Sequence, residues 1–403
     1  MRVIGFSSTK DYSAKLLEME GVRIENLEES EKEIVLQISL ERRTQICRHC
    51  GAETERVHDY RIRQVRDLEL RGKPLRLLYR RRRYVCPVCG KRFAEQNTFV
   101  GRYMRFTHRT GEKIMTLLRR RSSMKDAAKD AGVSISGVQR VLKIAPVSKP
   151  SRLPEAISFD EFKGNAGGER FQCIVTDPLN RRVFDILPSR TVETIQDYLR
   201  PFPNRDEVKY VVMDMNRGFR DAAKAFLPNA KIIIDRFHVV RYCTEAMENV
   251  RRSFQKALPK AQRKYFKRSR RLLLAHRDRL TEEDRAAVDV MLRFSDQLLQ
   301  AYALKEALYD FMAASNRAEA EHRLDFWLES CDQLNLPEFR PCRRMLANWR
   351  PYILNAFDIH LSNGFTEGCN NAIKTLKRLA FGFRNFSAFR ARILLAVSPH
   401  PYI

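Results

Sequence analysis

An α+β multidomain fold is what the sequence predicts, on three observations. Two Cys-x-x-Cys-Gly knuckles, Cys47 to Gly51 and Cys86 to Gly90, mark a small metal-stabilised domain near the N-terminus. From Ala156 to Ile234 the pattern reads strand, strand, strand, helix, strand, helix, strand. From Thr244 to about Phe357 come long helical periodicities rich in Arg, Lys, Leu and Ala, with little that reads as a strand. The class that follows is an N-terminal zinc ribbon and helix-turn-helix, then an RNase H-like α/β domain interrupted by an all-α insertion. The expected divisions are 1–100 (hairpin and zinc-binding domain), 101–150 (helix-turn-helix and linker), 151–243 (first part of the α/β core), 244–360 (all-α insertion) and 361–403 (the core's C-terminal helix).

Charge narrows the partners. The 403 residues carry 75 Lys plus Arg against 49 Asp plus Glu, a net charge of +26, which points to a polyanion, with nucleic acid the default. No apolar run approaches the roughly 20 residues of a membrane span, and the opening MRVIGFSSTKDYS lacks the apolar core of a signal peptide. The expected location is the cytoplasm, where the nine cysteines stay reduced.

Taken in order, Val22 to Leu27 and Glu33 to Leu40 flank the acidic turn Glu28 to Lys32 and read as a hairpin. Cys47, Cys50, Cys86 and Cys89 supply the four thiolates of a closed structural zinc site, with residues 51–85 between the pairs; His49 or His58 could replace one cysteine. Between the knuckles Leu68, Leu70, Leu75 and Leu77 alternate with polar residues around Gly72-Lys73, a hairpin with a basic face. Arg80, Arg81, Arg82 and Arg83 end that face and are expected to meet phosphates. Ala127-Ala128, Gly132-Val133 and Val138 have helix-turn-helix spacing, and the second helix would offer Ser134, Ser136, Gln139 and Arg140 to a major groove. Ala145 to Pro150 reads as a linker.

In the α/β segment three strand-like runs end in carboxylates: Asp160, Asp214 and Asp235. Ligands collect at the carboxyl ends of strands in open sheets. Far downstream, Ser362 to Thr366 reads as a turn and cap, opening a helix that begins with Glu367. That helix continues through Asn370, Asn371, Lys374, Lys377 and Arg378, expected as an exposed polar and basic stripe, whereas Phe381, Phe383, Phe386 and Phe389 are expected to pack a core.

The knuckles together with ISFDEFKG (157–164), VVMDM (211–215), LPNAKIIIDRFHVV (227–240) and SNGFTEGCNNAIKTLKRLAFGFRNFSAFRARIL (362–394) resemble the ISL3 family of bacterial insertion-sequence transposases over almost the whole chain. The resemblance implies a DDE transposase whose N-terminal region binds terminal inverted repeats and whose catalytic core cuts DNA and joins it to target DNA. It implies Asp160, Asp214 and Glu367 as ligands of two Mg²⁺ or Mn²⁺ ions, brought within a few ångströms of one another. Asp235 and His238, in Asp-x-x-His spacing, become a supporting pair at the site's edge, although Asp235 also competes for the role of second acid. Two metal ions roughly 4 Å apart can activate the attacking oxygen and hold the leaving one, and hard oxygen ligands suit such ions. Lys374 and Arg378 would hold the DNA backbone beside the metals, and joining two ends calls for a homo-oligomer. Two other readings share these features: a zinc and helix-turn-helix regulator on an inactive scaffold, and an RNase H-like nuclease without strand transfer.

Overall fold

The computed structural model describes residues 2–3, 17–145, 150–380 and 382–397. Most of MRVIGFSSTKDYS, most of the linker, Phe381 and the terminal SPHPYI lie outside them. The chain divides into two units, residues 1–147 with 376–397, and residues 148–375 with 398–403.

The first unit is built on a sheet of order β1-β2-β3-β7-β6, with β8 on the outer part of β7. These strands are β1 (Arg2–Val3), β2 (Val22–Glu29), β3 (Ile34–Leu40), β6 (Val57–Leu70), β7 (Lys73–Val85) and β8 (Arg92–Ala94); the short pair β4 (Gln45–Ile46) and β5 (Glu53–Thr54) lies between β3 and β6 in the chain. The first hairpin forms where the alternation of Val22 to Leu40 placed it, with Val22 opposite Leu40. The second turns one residue earlier than expected, with Leu70 opposite Lys73. Arg71 and Gly72 take φ of 53° and 75°, the left-handed pair that a two-residue hairpin turn requires. Alternation on β7 buries Leu75, Leu77 and Tyr79 against Ile34, Leu36 and Ile38.

Three helices pack on this core: α1 (His108–Arg119), α2 (Met124–Asp130) and α3 (Ile135–Ile144). Each is started by a side-chain cap, Thr107 on the Thr110 amide, Ser123 on Asp126 and Ser134 on Gly137. Ala127, Ala128 and Val138 are buried where α2 and α3 meet, and Gly132 makes the turn at φ 63°, as the helix-turn-helix pattern predicts. Asp67 of β6 fixes the start of α1: it accepts from Arg109 Nε at 2.8 Å and from Thr107 Oγ1 at 2.6 Å.

The second unit carries a five-stranded sheet of order β11-β10-β9-β12-β13, from β9 (Ala156–Phe162), β10 (Gln172–Asp177), β11 (Arg182–Leu187), β12 (Tyr210–Met213) and β13 (Lys231–Ile234). β10 runs antiparallel to both neighbours, whereas β9, β12 and β13 are parallel. The crossovers β11 to β12 and β12 to β13 contain α4 (Val192–Leu199) and α5 (Arg217–Phe226). Phe159 of β9 meets Phe219 of α5 with ring centroids 6.1 Å apart. From Arg236 to Asp358 the described residues form helices with short connections: α6 (Arg236–Ala257), α7 (Lys260–Arg268), α8 (Arg270–Leu274), α9 (Glu282–Leu292), α10 (Asp296–Met312), α11 (Arg317–Leu334) and α12 (Arg340–Asp358). Their apolar faces close on Trp327, fully buried, whose indole donates to the Leu304 carbonyl at 2.8 Å. Helix α12 returns to the sheet, packing Ala356 on Val212 and Ile233. No helix among the described residues is long and apolar enough to cross a membrane.

The C-terminal division differs from the expected one. Helix α13 (Gly364–Leu379) starts in the second unit, but residues 376–397 group with the first, rather than all of 361–403 with the α/β core. The reason lies in α14 (Phe386–Val397), which packs on α1 and α3 through Leu395. Its Arg392, 2% exposed, donates to the carbonyls of Leu118 and Ser122, placing a cation on the carbonyl-rich end of α1. Burial pushes its guanidinium down to about 10. Phe383 and Phe389 stack at 4.8 Å and are buried, as their spacing suggested. Arg392→Ala strips partners from two carbonyls and opens a cavity, and should cost about 2–4 kcal/mol. Thermal unfolding of the full chain checks this: the melting temperature should fall by several degrees.

Candidate active site and metal centre

The cysteine centre is built by two copies of one local structure. In each knuckle the glycine after the second cysteine adopts positive φ, 75° at Gly51 and 69° at Gly90, which lets its amide turn back to the first cysteine's carbonyl at 2.9 and 3.0 Å. The four sulfurs then meet, with Cys47 to Cys89 3.7 Å and Cys50 to Cys86 3.5 Å. All four ligand atoms lie within 4.8 Å of one another. Amides of Cys89 and Val88 aimed at the Cys86 sulfur hold that thiol down to about 6, ready to act as thiolate. The donor set fits the closed tetrahedral shell of structural zinc with no histidine in it.

The carboxylates are placed by strand register. Phe159, Met213 and Ile234 stand side by side on β9, β12 and β13, and each is followed by an aspartate: Asp160, Asp214 and Asp235. The three therefore form a row across one edge of the sheet, at the spacing of adjacent strands, roughly 4.8 Å. Helix α13 is bolted over this row from some 200 residues away. Ser158 donates to Asn363, Thr366 donates to Ser158 at 3.3 Å, and the Thr176 and Thr366 hydroxyls meet at 2.7 Å, all of them buried. Ser158 and Asp160 are two apart on a strand, so they share its face.

Glu367 follows, exposed, in the first turn of α13. One turn on, Asn370 Nδ2 donates to Asp160 Oδ2 at 2.8 Å, and the Glu161 amide holds Oδ1 at 2.8 Å. Asn370 is thus buried and leaves the exposed stripe that the sequence suggested. Its spacing of three from Glu367, which puts both on one helix face, was the available signal.

Burial, then the charge of Asp214, pushes the Asp160 carboxyl up to about 6; burial, then Glu161, does the same to Asp214, with Arg190 opposing. Burial also raises Asp235, opposed by the Phe237 amide and His238, with the charge of Glu367 adding to the rise. The acids feel one another, yet they are not drawn together as closely as expected: among the described residues, only the four cysteines form a group of three or more such ligands within 4.8 Å. Asp214 Oδ1 and Asn370 Oδ1 are buried without hydrogen-bond partners, and unsatisfied oxygens beside buried carboxylates are what a hard divalent cation fits. Asp235 is partly committed elsewhere, since it caps α6 by accepting from the Phe237 amide at 3.2 Å. His238 lies in the first turn of that helix, half-buried.

The surface residues divide. Ser136, Gln139 and Arg140 are exposed on α3, whereas Ser134 is used as its cap. Lys374 and Arg378 are exposed on α13. The run Arg80 to Arg83 is not the uniform cationic face expected. Arg81 donates to the Glu95 carbonyl, Arg82 pairs with the Glu95 carboxylate and the Leu40 carbonyl, and Arg83 pairs with Asp59. Arg80 is exposed, 4.2 Å over the Tyr60 ring. Alternate side chains of a strand point to opposite faces, so four consecutive arginines cannot share one.

Comparison with known proteins agrees with this order of parts. Residues 43–89 match the zinc-finger of transposase IS204/IS1001/IS1096/IS1165, residues 95–143 match the helix-turn-helix domain of transposase family ISL3, and residues 157–393, more than half of the chain, match the transposase domain of the ISL3 DDE type. The chain is 29% identical over 384 residues to the transposase for insertion sequence element IS1001 of Bordetella parapertussis, covering 93% of this chain and 94% of that one. It is also 29% identical over 217 residues to the transposase for IS1557 of Mycobacterium tuberculosis, about half of each chain (48% and 49%). A 132-residue stretch is 36% identical to a Lactococcus lactis protein named as an ATP-dependent protease, over 32% of this chain and 38% of that one, too little to bear on the whole. A zinc ribbon, a helix-turn-helix and an acid-edged α/β domain, in that order, define an insertion-sequence transposase. The chain belongs to the ISL3 transposase family.

Proposed function

We propose that the protein is a DDE transposase that binds the terminal inverted repeats of its element and catalyses DNA cleavage and strand transfer. The observation that carries the reading is the in-register row of Asp160, Asp214 and Asp235 beneath a helix whose first turn holds Glu367. The strand order β11-β10-β9-β12-β13, with only β10 running against the others, supports an RNase H-like core, and the helices between Arg236 and Asp358 are read as its insertion.

Asp160, Asp214 and Glu367 would hold two Mg²⁺ or Mn²⁺ ions, which when bound supply an activated oxygen nucleophile and stabilise the leaving oxygen. Asn370 and the Glu161 amide fix both oxygens of Asp160, so its orientation is set before DNA arrives. Asp214 is preferred as the second acid because its Oδ1 is buried and unpartnered, whereas Asp235 caps a helix. Asp235 and His238 support the row from its edge. Ser136, Gln139 and Arg140 would read bases, and Arg80, Lys374 and Arg378 would meet phosphates. The zinc-held ribbon carries the hairpin, and two protomers would bring two element ends together.

Buried carboxylates that repel one another lower stability, so a regulator built on an inert scaffold has no use for them. The test incubates the full chain and Mg²⁺ with duplexes carrying its element's ends. Cleaved and joined products are expected; cleavage without joining would instead identify a nuclease, and binding without cleavage a regulator.

A further inference from the structure

Beside the helix-turn-helix lies a cleft of about 1380 Å³ walled by β6, by the segment Tyr103 to Phe106 and by the start of α3. Five arginines line it: Arg63, Arg66, Arg76, Arg105 and Arg140, with no carboxylate among its lining residues. Its walls are fixed to each other. The Arg66 amide donates to the Arg105 carbonyl at 2.9 Å, and the Thr107 amide donates to the Arg66 carbonyl at 3.0 Å. Gly137 lets the first turn of α3 approach Phe106 so closely that a Cβ there would stand 3.1 Å from the ring.

The charges in this cleft are under-compensated. Arg66 and Arg76 stand directly opposite in the β6–β7 ladder, where like charges destabilise. Glu33 pairs with Arg76 at 2.5 Å, while Arg66 and Arg105 are exposed. Arg63 donates to the Met104 carbonyl, and Arg140 to that of Tyr103 at 3.3 Å, so both guanidiniums are held at the cleft rather than swinging in solvent.

We propose that this cleft seats the sugar–phosphate backbone of the same duplex whose major groove α3 enters. A recognition helix meets bases with its N-terminal residues, and the cleft opens at that end of α3, beside Ser136. A strand lying in it would present successive phosphates to Arg66 and Arg105 while setting base edges against α3. The hairpin of the zinc domain and the helix-turn-helix then act as one DNA-binding surface, with the cleft fixing the register of the helix. This rests on the reading that the N-terminal unit binds DNA.

The test uses the full chain, a fluorescein-labelled 30-base-pair random-sequence duplex and anisotropy over a salt series. For Arg66→Gln combined with Arg105→Gln, the slope of log affinity against log salt should flatten by about 2, and affinity near 100 mM salt should fall about 10–100-fold. Arg66→Gln alone should leave zinc content unchanged and raise the melting temperature without DNA by up to about 3 °C, because it removes the opposed pair. An unchanged slope in a double variant that retains zinc overturns the inference and leaves DNA binding standing. If the unaltered protein binds no duplex at low salt, the DNA-binding reading falls and the inference with it.

Discussion

Asp214→Asn should lower DNA cleavage at least about a thousandfold, equivalent to roughly 4 kcal/mol of transition-state stabilisation, while leaving duplex binding within about twofold. The same substitution should make the protein more stable. Asp214 and Asp160 both have carboxyls pushed up to about 6, chiefly by burial. Between about pH 4 and pH 6 the folded chain therefore holds more protons than the unfolded one, so in buffer free of divalent ions stability falls as pH rises through that window. At pH 7.5 both carboxylates are charged, and Asp214→Asn should recover about 1–2 kcal/mol, reduced from the full shift because Asp214 is partly open to solvent. At pH 4 the two proteins should unfold at nearly the same denaturant concentration. Added Mg²⁺ should raise the midpoint of the unaltered chain at pH 7.5 and that of the variant much less. Lost cleavage with gained stability separates a functional acid from a structural one.

Cys86→Ser should unfold the ribbon. Among the described residues, the core around the metal centre contains only Cys47, Tyr84, Cys86 and Phe93, with Ala52 and Val57 against it, too little apolar surface to hold a fold without a bound ion. Structural zinc sites of this kind contribute about 10–16 kcal/mol of folding free energy. Tyr84 links that core to the outer end of the β6–β7 hairpin, where it pairs with Val57, so the disturbance should reach the arginines of β7. Zinc should fall from one per chain to nearly none, protease should cut within 45–94, and duplex affinity should drop by about tenfold or more. Stoichiometric zinc in the variant would mean that the four thiolates are not its ligand set.

What the sequence made legible was what local rules determine. The two knuckles are local turns with a glycine at a fixed place, and Asp214 and Asp235 could be read as strand ends because the β-branched runs before them are short and bounded, whereas Asp160 lies inside β9, which runs on to Phe162 along β10. The helix-turn-helix was readable because Ala127, Gly132 and Val138 each answer a local packing or turning requirement. The rest depends on tertiary partners. Nothing near Arg392 signals that it caps α1, because its acceptors, Leu118 and Ser122, are 274 and 270 residues away. Asn370 looked like part of a solvated stripe until Thr366 and Asn363 locked the start of α13 to β9 and β10 and turned it inward. The arginine run on β7 misled because composition reports charge, whereas the acceptors that neutralise it, Glu95 and Asp59, come from other strands and connections.

The most direct measurement concerns Glu367. Its side chain is exposed, so Glu367→Gln should change neither folding nor zinc content. Cleavage of an end-bearing duplex in Mg²⁺ should be measured beside binding of the same duplex. Binding should stay within about twofold while cleavage falls by at least about a thousandfold. A Glu367→Gln protein that cleaves at the unaltered rate would show that Glu367 is not a catalytic acid.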